Sequence, residues 1–331
     1  MKTILRLILF LAAACIASFA ISGELEKAET LYQQGKYKEA LSIYMKPAYR
    51  NMVGVQVRVG NIYLESAVRD EKKSTEWFQK AADQGDSKGI YNLALAYEEG
   101  IGVKQDFTKA FTLLKQAADM NLPSAMNEIG LMYRNGWGVK KDEKEAALWY
   151  LKAANAGSTN GMCNSAGVMM YSKIVETDYK QAHEMLDACI KAEPTNSCCL
   201  VRMSELYADG WGVPENRRKA HELRQKAAAQ GNNGIAMYMV ARDLDYGIGV
   251  DKDAKEAMSW YEKAAAKDHA KSMYRLYEVY EYGKLGQAVD KAKANEWKAR
   301  AEKTMKEQGL SRNEWVDDFR LKMEEADKDK R

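Results

Sequence analysis

The chain has 331 residues, 46% of them hydrophobic and 29% charged, with a mean hydropathy of -0.53. That average excludes a multi-span membrane protein, and the apolar fraction is too high for a disordered chain. The 50 basic and 47 acidic residues leave a net charge of +3. This balance argues against a nucleic-acid binder, which needs a basic face, and against electrostatic docking on anionic lipid.

The chain opens with Lys2 and Arg6, followed by an uncharged run from Leu7 to Gly23. Leu7 to Ala17 has the length of a signal-peptide apolar core, and Ser18-Phe19-Ala20 places small residues at the −3 and −1 positions of a cleavage site. A leader at 1–20 is therefore expected. Its removal would leave 48 basic against 47 acidic residues. An uncleaved anchor is the second reading, although the run is slightly short for a bilayer span. A lipidated Cys15 is the third, but Ala12 stands where a large aliphatic residue is usual. The leader is of bacterial type, so a periplasmic or secreted destination is expected.

The remainder repeats itself. Small residues follow charged stretches at Ala40, Ser74, Ala110, Ala146, Ala182, Ala220, Ala257 and Ala294, with spacings of 34, 36, 36, 36, 38, 37 and 37 residues. Three places later comes a large apolar residue: Ile43, Trp77, Leu113, Trp149, Met185, Leu223, Trp260 or Trp297. Upstream lies a second element ending in an aromatic, such as Tyr63, Tyr97, Tyr133, Tyr207 or Tyr280. Glycine turns join the two at Gly100-Ile-Gly-Val103, Gly136-Trp-Gly-Val139, Gly210-Trp-Gly-Val213 and Gly247-Ile-Gly-Val250. Met126, Ile129, Gly130 and Tyr133 fall on one helical face, as do Ala146, Trp149, Tyr150 and Ala153. No segment alternates with a period of two, so no strand is predicted. One helix pair cannot bury its apolar face alone, whereas a stack of eight can.

This pattern resembles the Sel-1-like repeat, a relative of the tetratricopeptide repeat. The block Ala125-Met-Asn-Glu-Ile-Gly-Leu-Met-Tyr133, Gly136-Trp-Gly-Val139, Asp142-Glu-Lys-Glu-Ala146 and Trp149-Tyr-Leu-Lys-Ala-Ala154 carries it. The resemblance implies an all-α chain, a right-handed α/α superhelical solenoid of about eight helix-turn-helix repeats. Its expected parts are a tetratricopeptide-like unit at 24–53, seven Sel-1-like repeats at 54–304, and a C-terminal cap helix at 305–331. Residues 24–53 depart from the pattern, with Gly35-Lys-Tyr-Lys-Glu-Ala40 and an interrupting Pro47. Ser311 and Glu314 have capping-box spacing, and Trp315, Phe319 and Met323 form an apolar stripe for the cap.

After the leader four cysteines remain, Cys163, Cys189, Cys198 and Cys199, an even count that signals disulfides in an exported chain. Cysteine-rich members of the resembled family bridge the end of a second helix to the start of the following one. That implies Cys189–Cys198, with Cys199 as the rival partner. A four-cysteine zinc site lacks its Cys-x-x-Cys knuckle. The glycine turns lack the third glycine and Lys-Ser/Thr ending of a phosphate loop. Trp137 and Trp211, at two turn tips, are expected to pack on neighbouring units. His183 and His221 follow the small-residue slot in consecutive units without a matched carboxylate or cysteine, and His269 is read as ending a helix. No nucleophile–base pair is visible, so no enzyme, cofactor or metal is expected.

In the resembled family the first helices line a concave groove that binds peptides or protein segments. Carrying those positions across names Tyr91, Asn127, Arg134, Arg202, Glu205, Tyr238, Arg242, Tyr274 and Glu278. Tyr and Arg dominate binding hot spots. Arg202, Tyr238 and Arg242 are placed near the centre and read as exposed. The leading expectation is a non-enzymatic, exported scaffold or adaptor for another protein, without nucleic acid and without membrane insertion after leader cleavage. Two alternatives are a periplasmic immunity protein neutralising a toxin such as a lipase, and a cell-wall or β-lactam-directed enzyme.

Overall fold

The structure, a computed structural model, describes residues 23–172 and 176–309. The expected leader at 1–20, Cys15, and the cap residues Ser311, Glu314, Trp315, Phe319 and Met323 lie outside these. Sixteen helices and no strands are found among the described residues. They run in pairs: α1 (23–33) with α2 (Tyr37–Tyr44), α3 (Val53–Ile62) with α4 (Glu71–Asp83), α5 (Ser87–Glu99) with α6 (Phe107–Asp119), and α7 (Pro123–Asn135) with α8 (Glu143–Asn155). Then follow α9 (Thr159–Tyr171) with α10 (Tyr179–Ala192), α11 (Ser197–Asp209) with α12 (Arg217–Ala228), α13 (Gly234–Tyr246) with α14 (Ala254–Ala265), and α15 (Ala270–Tyr282) with α16 (Lys291–Glu307). Residues 305–307, assigned to the cap from sequence, continue α16.

The chain divides into two compact units, Met1–Gly161 and Met162–Arg331. The repeated small residue explains the pairing. Ala40, Ser74, Ala110, Ala182, Ala220, Ala257 and Ala294 are fully buried and Ala146 nearly so. Without bulk at that point, the second helix of each pair lies close against the first. The larger residue three places on fills the space beside it: Trp77 and Trp149 are 8% exposed. In the first unit, one core gathers Ala28, Tyr44, Val59 and Ile62, and another Ile90, Leu114, Ile129 and Met132. In the second unit, one core gathers Met170, Leu186, Cys199 and Leu206, and another Leu200, Tyr261, Met273 and Leu276.

The second helices share a start signal. Asp70, Asp106, Asp142, Asp178, Asn216, Asp253 and Asp290 are the N-caps of α4, α6, α8, α10, α12, α14 and α16, and each side chain accepts a backbone N–H from the first turn. Such a cap contributes about 1 kcal/mol. His269 does not end the preceding helix, as expected from sequence, but is the N-cap of α15, where Nδ1 accepts the Ser272 N–H. Burial, then Lys271, pushes its pKa down to about 4, which keeps Nδ1 free to accept.

The turns use their two glycines differently. Gly247 closes α13 in the left-handed conformation, and its N–H bonds the Asp243 carbonyl. Gly249, two residues on, also has positive φ, and a Cβ there would sit 2.2 Å from the Arg217 carbonyl oxygen of α12. The first glycine turns the chain, and the second admits the preceding pair's second helix. Trp137 and Trp211 pack as expected, stacking on Phe107 at 5.8 Å and on Tyr179 at 5.2 Å.

Candidate functional site

The cysteines form two bridges, and the pairing inferred from sequence is corrected. Cys189 at the end of α10 joins Cys199, and Cys198 joins Cys163 of α9. Successive residues of a helix point about 100° apart. On α11, Cys199 faces the core and is fully buried, as are Cys163 and Cys189. Cys198 points aside and stays partly exposed. The vicinal pair therefore ties α11 to two different helices. Arg202, one turn along α11, donates its Nε–H to Cys163 Sγ at 3.2 Å. Its guanidinium lies 5.8 Å from the Tyr171 ring centre. Tyr171 donates its hydroxyl to Glu205 at 2.6 Å. Burial raises the Glu205 pKa, while the Tyr171 hydrogen bond, Arg202 and Arg224 pull it back.

Glu205, Arg242 and Glu278 each lie eight residues after the first residue of α11, α13 and α15, so they mark one face across three first helices. Behind this face is a buried ionic network. Asp243 accepts Arg224 Nη1 at 2.7 Å and pairs with His221 Nδ1 at 3.0 Å, and Arg224 Nε reaches Ser204 Oγ at 3.3 Å. Arg242 Nη2 lies 3.9 Å from the same carboxylate. Removing Arg224, the close cationic partner of this buried carboxylate, would cost about 3–5 kcal/mol, because the charge is left stranded. Further along, Arg275 pairs with Asp245 at 2.8 Å and with Glu278 at 3.0 Å.

The expected groove residues differ in burial. Arg202, Glu205, Arg242 and Tyr274 are half-buried. Glu278 is buried in the Arg275 pair. Tyr238 is also buried, contrary to the expectation of an exposed position: its ring lies 4.7 Å from His269 and 6.0 Å from Tyr261. Its truncation would open the core, so it cannot serve as a stability-neutral probe. His183 meets Tyr207 at 3.3 Å while His221 meets Asp243, so the two histidines serve separate helix pairs. Among the described residues no group of three or more His, Cys, Asp or Glu side chains could hold a metal ion.

The first unit carries the other expected residues. Tyr91 on α5 is half-buried, Arg134 on α7 is exposed, and Asn127 is buried, where exposure was implied. Sequence reasoning missed Glu98 and Glu128 beside them. Burial, then Glu128 and Glu99, pushes the Glu98 carboxyl up to about 7, and its Oε2 has no hydrogen-bond partner. Burial also raises Glu128, opposed by the Asn127 amide at 3.4 Å. Tyr91 is raised by burial and then by Glu128. Two carboxyl groups on neighbouring first helices thus share one poorly solvated face. The clue in the sequence was positional: Glu98 sits at the same step of its helix as Arg134.

The Sel1 repeat family matches residues 55–86, 87–122, 123–158, 199–232, 234–269 and 270–301, more than half of the sequence. The chain belongs to the Sel1 repeat family. Residues 159–198, with α9, α10 and three of the four bridged cysteines, fall between matched Sel1 repeats. The chain is 35% identical over 240 residues to the ERAD-associated E3 ubiquitin-protein ligase component HRD3B of Arabidopsis thaliana, spanning 68% of this chain and 39% of that protein. It is 31% identical over 112 residues to chitin synthase regulatory factor 3 of Schizosaccharomyces pombe, spanning 34% of this chain and 12% of that protein. Among solved structures, a Sel1 repeat protein from Oxalobacter formigenes superposes with a TM-score of 0.58 at 28% identity, covering 84% of this chain and 99% of that one. The protective antigen c5321 of uropathogenic Escherichia coli gives 0.57 at 27% identity, covering 83% and 56%. Among the described residues no helix is long and apolar enough to cross a membrane.

Proposed function

We propose that this Sel1-repeat chain is a non-catalytic, exported adaptor that binds a segment of another protein along the faces of its first helices. The observation that carries this reading is the state of Arg202, Glu205 and Arg242, charged side chains held half-buried by their neighbours instead of solvated. Ordering a long side chain on binding costs about 0.5–1.5 kcal/mol, so groups already held favour association. The two relatives named as a ligase component and a regulatory factor support a scaffolding role. The two cystines support an oxidising compartment. The buried His221–Asp243 pair belongs to the ionic network with Arg224.

A photo-crosslinking residue at position 242, and another at the exposed Lys226 on α12 as control, tests the surface directly. The expected result is a defined protein adduct from position 242 that excess unlabelled chain competes away, and none from position 226. Equal adducts from both positions would remove the first-helix face from the proposal.

A further inference from the structure

The two cystines sit in different chemical surroundings. Cys189 and Cys199 are both fully buried, and no external thiol can reach their sulfurs without opening the core. The other bridge has one buried sulfur, Cys163, and one partly exposed, Cys198. The buried one accepts a hydrogen bond from the Arg202 guanidinium. A neighbouring cation favours thiolate over thiol, and a sulfur that leaves as a stabilised thiolate leaves faster. Arg202 is itself held by a close approach: a Cβ on Gly167 of α9 would lie 2.6 Å from its Cζ, so the guanidinium packs directly on backbone.

We infer that Cys198 is a site of thiol–disulfide exchange, open to a small thiol or to a cysteine of another protein, with Cys163 as the leaving group held by Arg202. The incoming thiolate attacks Cys198 Sγ. A new sulfur–sulfur bond forms there as the Cys163–Cys198 bond breaks, and the electron pair passes to Cys163. Cys163 becomes a thiolate paired with the guanidinium. No oxidant or reductant is consumed, because one disulfide replaces another. The reverse attack by Cys163 restores the bridge and expels the bound thiol. Meanwhile Cys189–Cys199 keeps α10 fastened to α11.

The test uses the oxidised full chain in native buffer with reduced glutathione, free thiols then being alkylated and the peptides mapped by mass spectrometry. The expected product carries glutathione on Cys198, an alkylated Cys163, and an intact Cys189–Cys199 bridge. Arg202→Met should slow its formation at least about threefold, with Arg202→Lys in between, because only the leaving-group stabilisation is lost. Far-UV circular dichroism checks that the variants fold. If Arg202→Met does not fold, Arg202→Gln replaces it, with the same slowing expected. Glutathione on Cys189 or Cys199, both bridges opening together, or an exchange rate indifferent to residue 202 would each overturn the inference.

Discussion

Glu98 shows how one half-buried carboxyl changes the behaviour of a face. Its pKa rises from 4.5 to about 7, first through burial and then through Glu128 and Glu99. Between those values the folded chain holds a proton that the unfolded chain has released. Stability therefore falls as pH rises through that window and levels off above it. Glu98→Gln keeps the shape and removes the charge. Its melting temperature should equal that of the parent near pH 4.5 and exceed it increasingly up to pH 7, then run parallel. A difference that does not change with pH would show that Glu98 is solvated. The residue type at position 98 does not announce this, because the raised pKa comes first from burial by the stacked helices and then from Glu128 on the next first helix. The same holds for Asp243, whose partners Arg224 and His221 come from the preceding helix, α12. Such pairs are set by how helices stack, and the spacing of charges along one helix does not reveal them.

Helices and turns were more legible, because their requirements recur at fixed steps. The small residue that brings two helices together repeats at intervals of 34 to 38 residues and is buried every time. The Asp or Asn cap lies four residues before it, as in Asp106 and Ala110 or Asp253 and Ala257. Two glycines allow the chemistry of a turn to be separated from its packing. Gly231 and Gly249 both have positive φ, but a Cβ on Gly231 would meet open space and one on Gly249 would strike Arg217 backbone. Gly231→Ala should cost about 1 kcal/mol, the strain of a left-handed alanine. Gly249→Ala should cost clearly more, about 2–3 kcal/mol, since α12 must also move. Thermal melts of the two variants decide it, and equal losses would mean that the turn does not press on α12. The cystine pairing was illegible for the same reason as the ionic network. Cys198 and Cys199 are neighbours in sequence, and only the position of α9 assigns Cys198 to Cys163.

At the scale of the molecule, the repeats within each compact unit make a helix pair a spacer that sets side chains at regular intervals along a face. Family membership accounts for the stack, and the charged residues on the first helices give this chain its own surface. The burial of Tyr238, Asn127 and Glu278 narrows the proposed binding surface to Arg202, Glu205, Arg242 and Tyr274 in the second unit and to Tyr91, Glu98, Glu128 and Arg134 in the first. The measurement that tests the protein-binding account most directly is a titration of the partner cross-linked at position 242 against the parent chain and Arg242→Ala, with the melting of both recorded. Asp243 keeps Arg224 and His221 when Arg242 is truncated, so stability should fall by about 1 kcal/mol or less. Binding should weaken by about thirtyfold, or about 2 kcal/mol. Unchanged affinity in a variant that melts like its parent would contradict the claim that this face holds the partner.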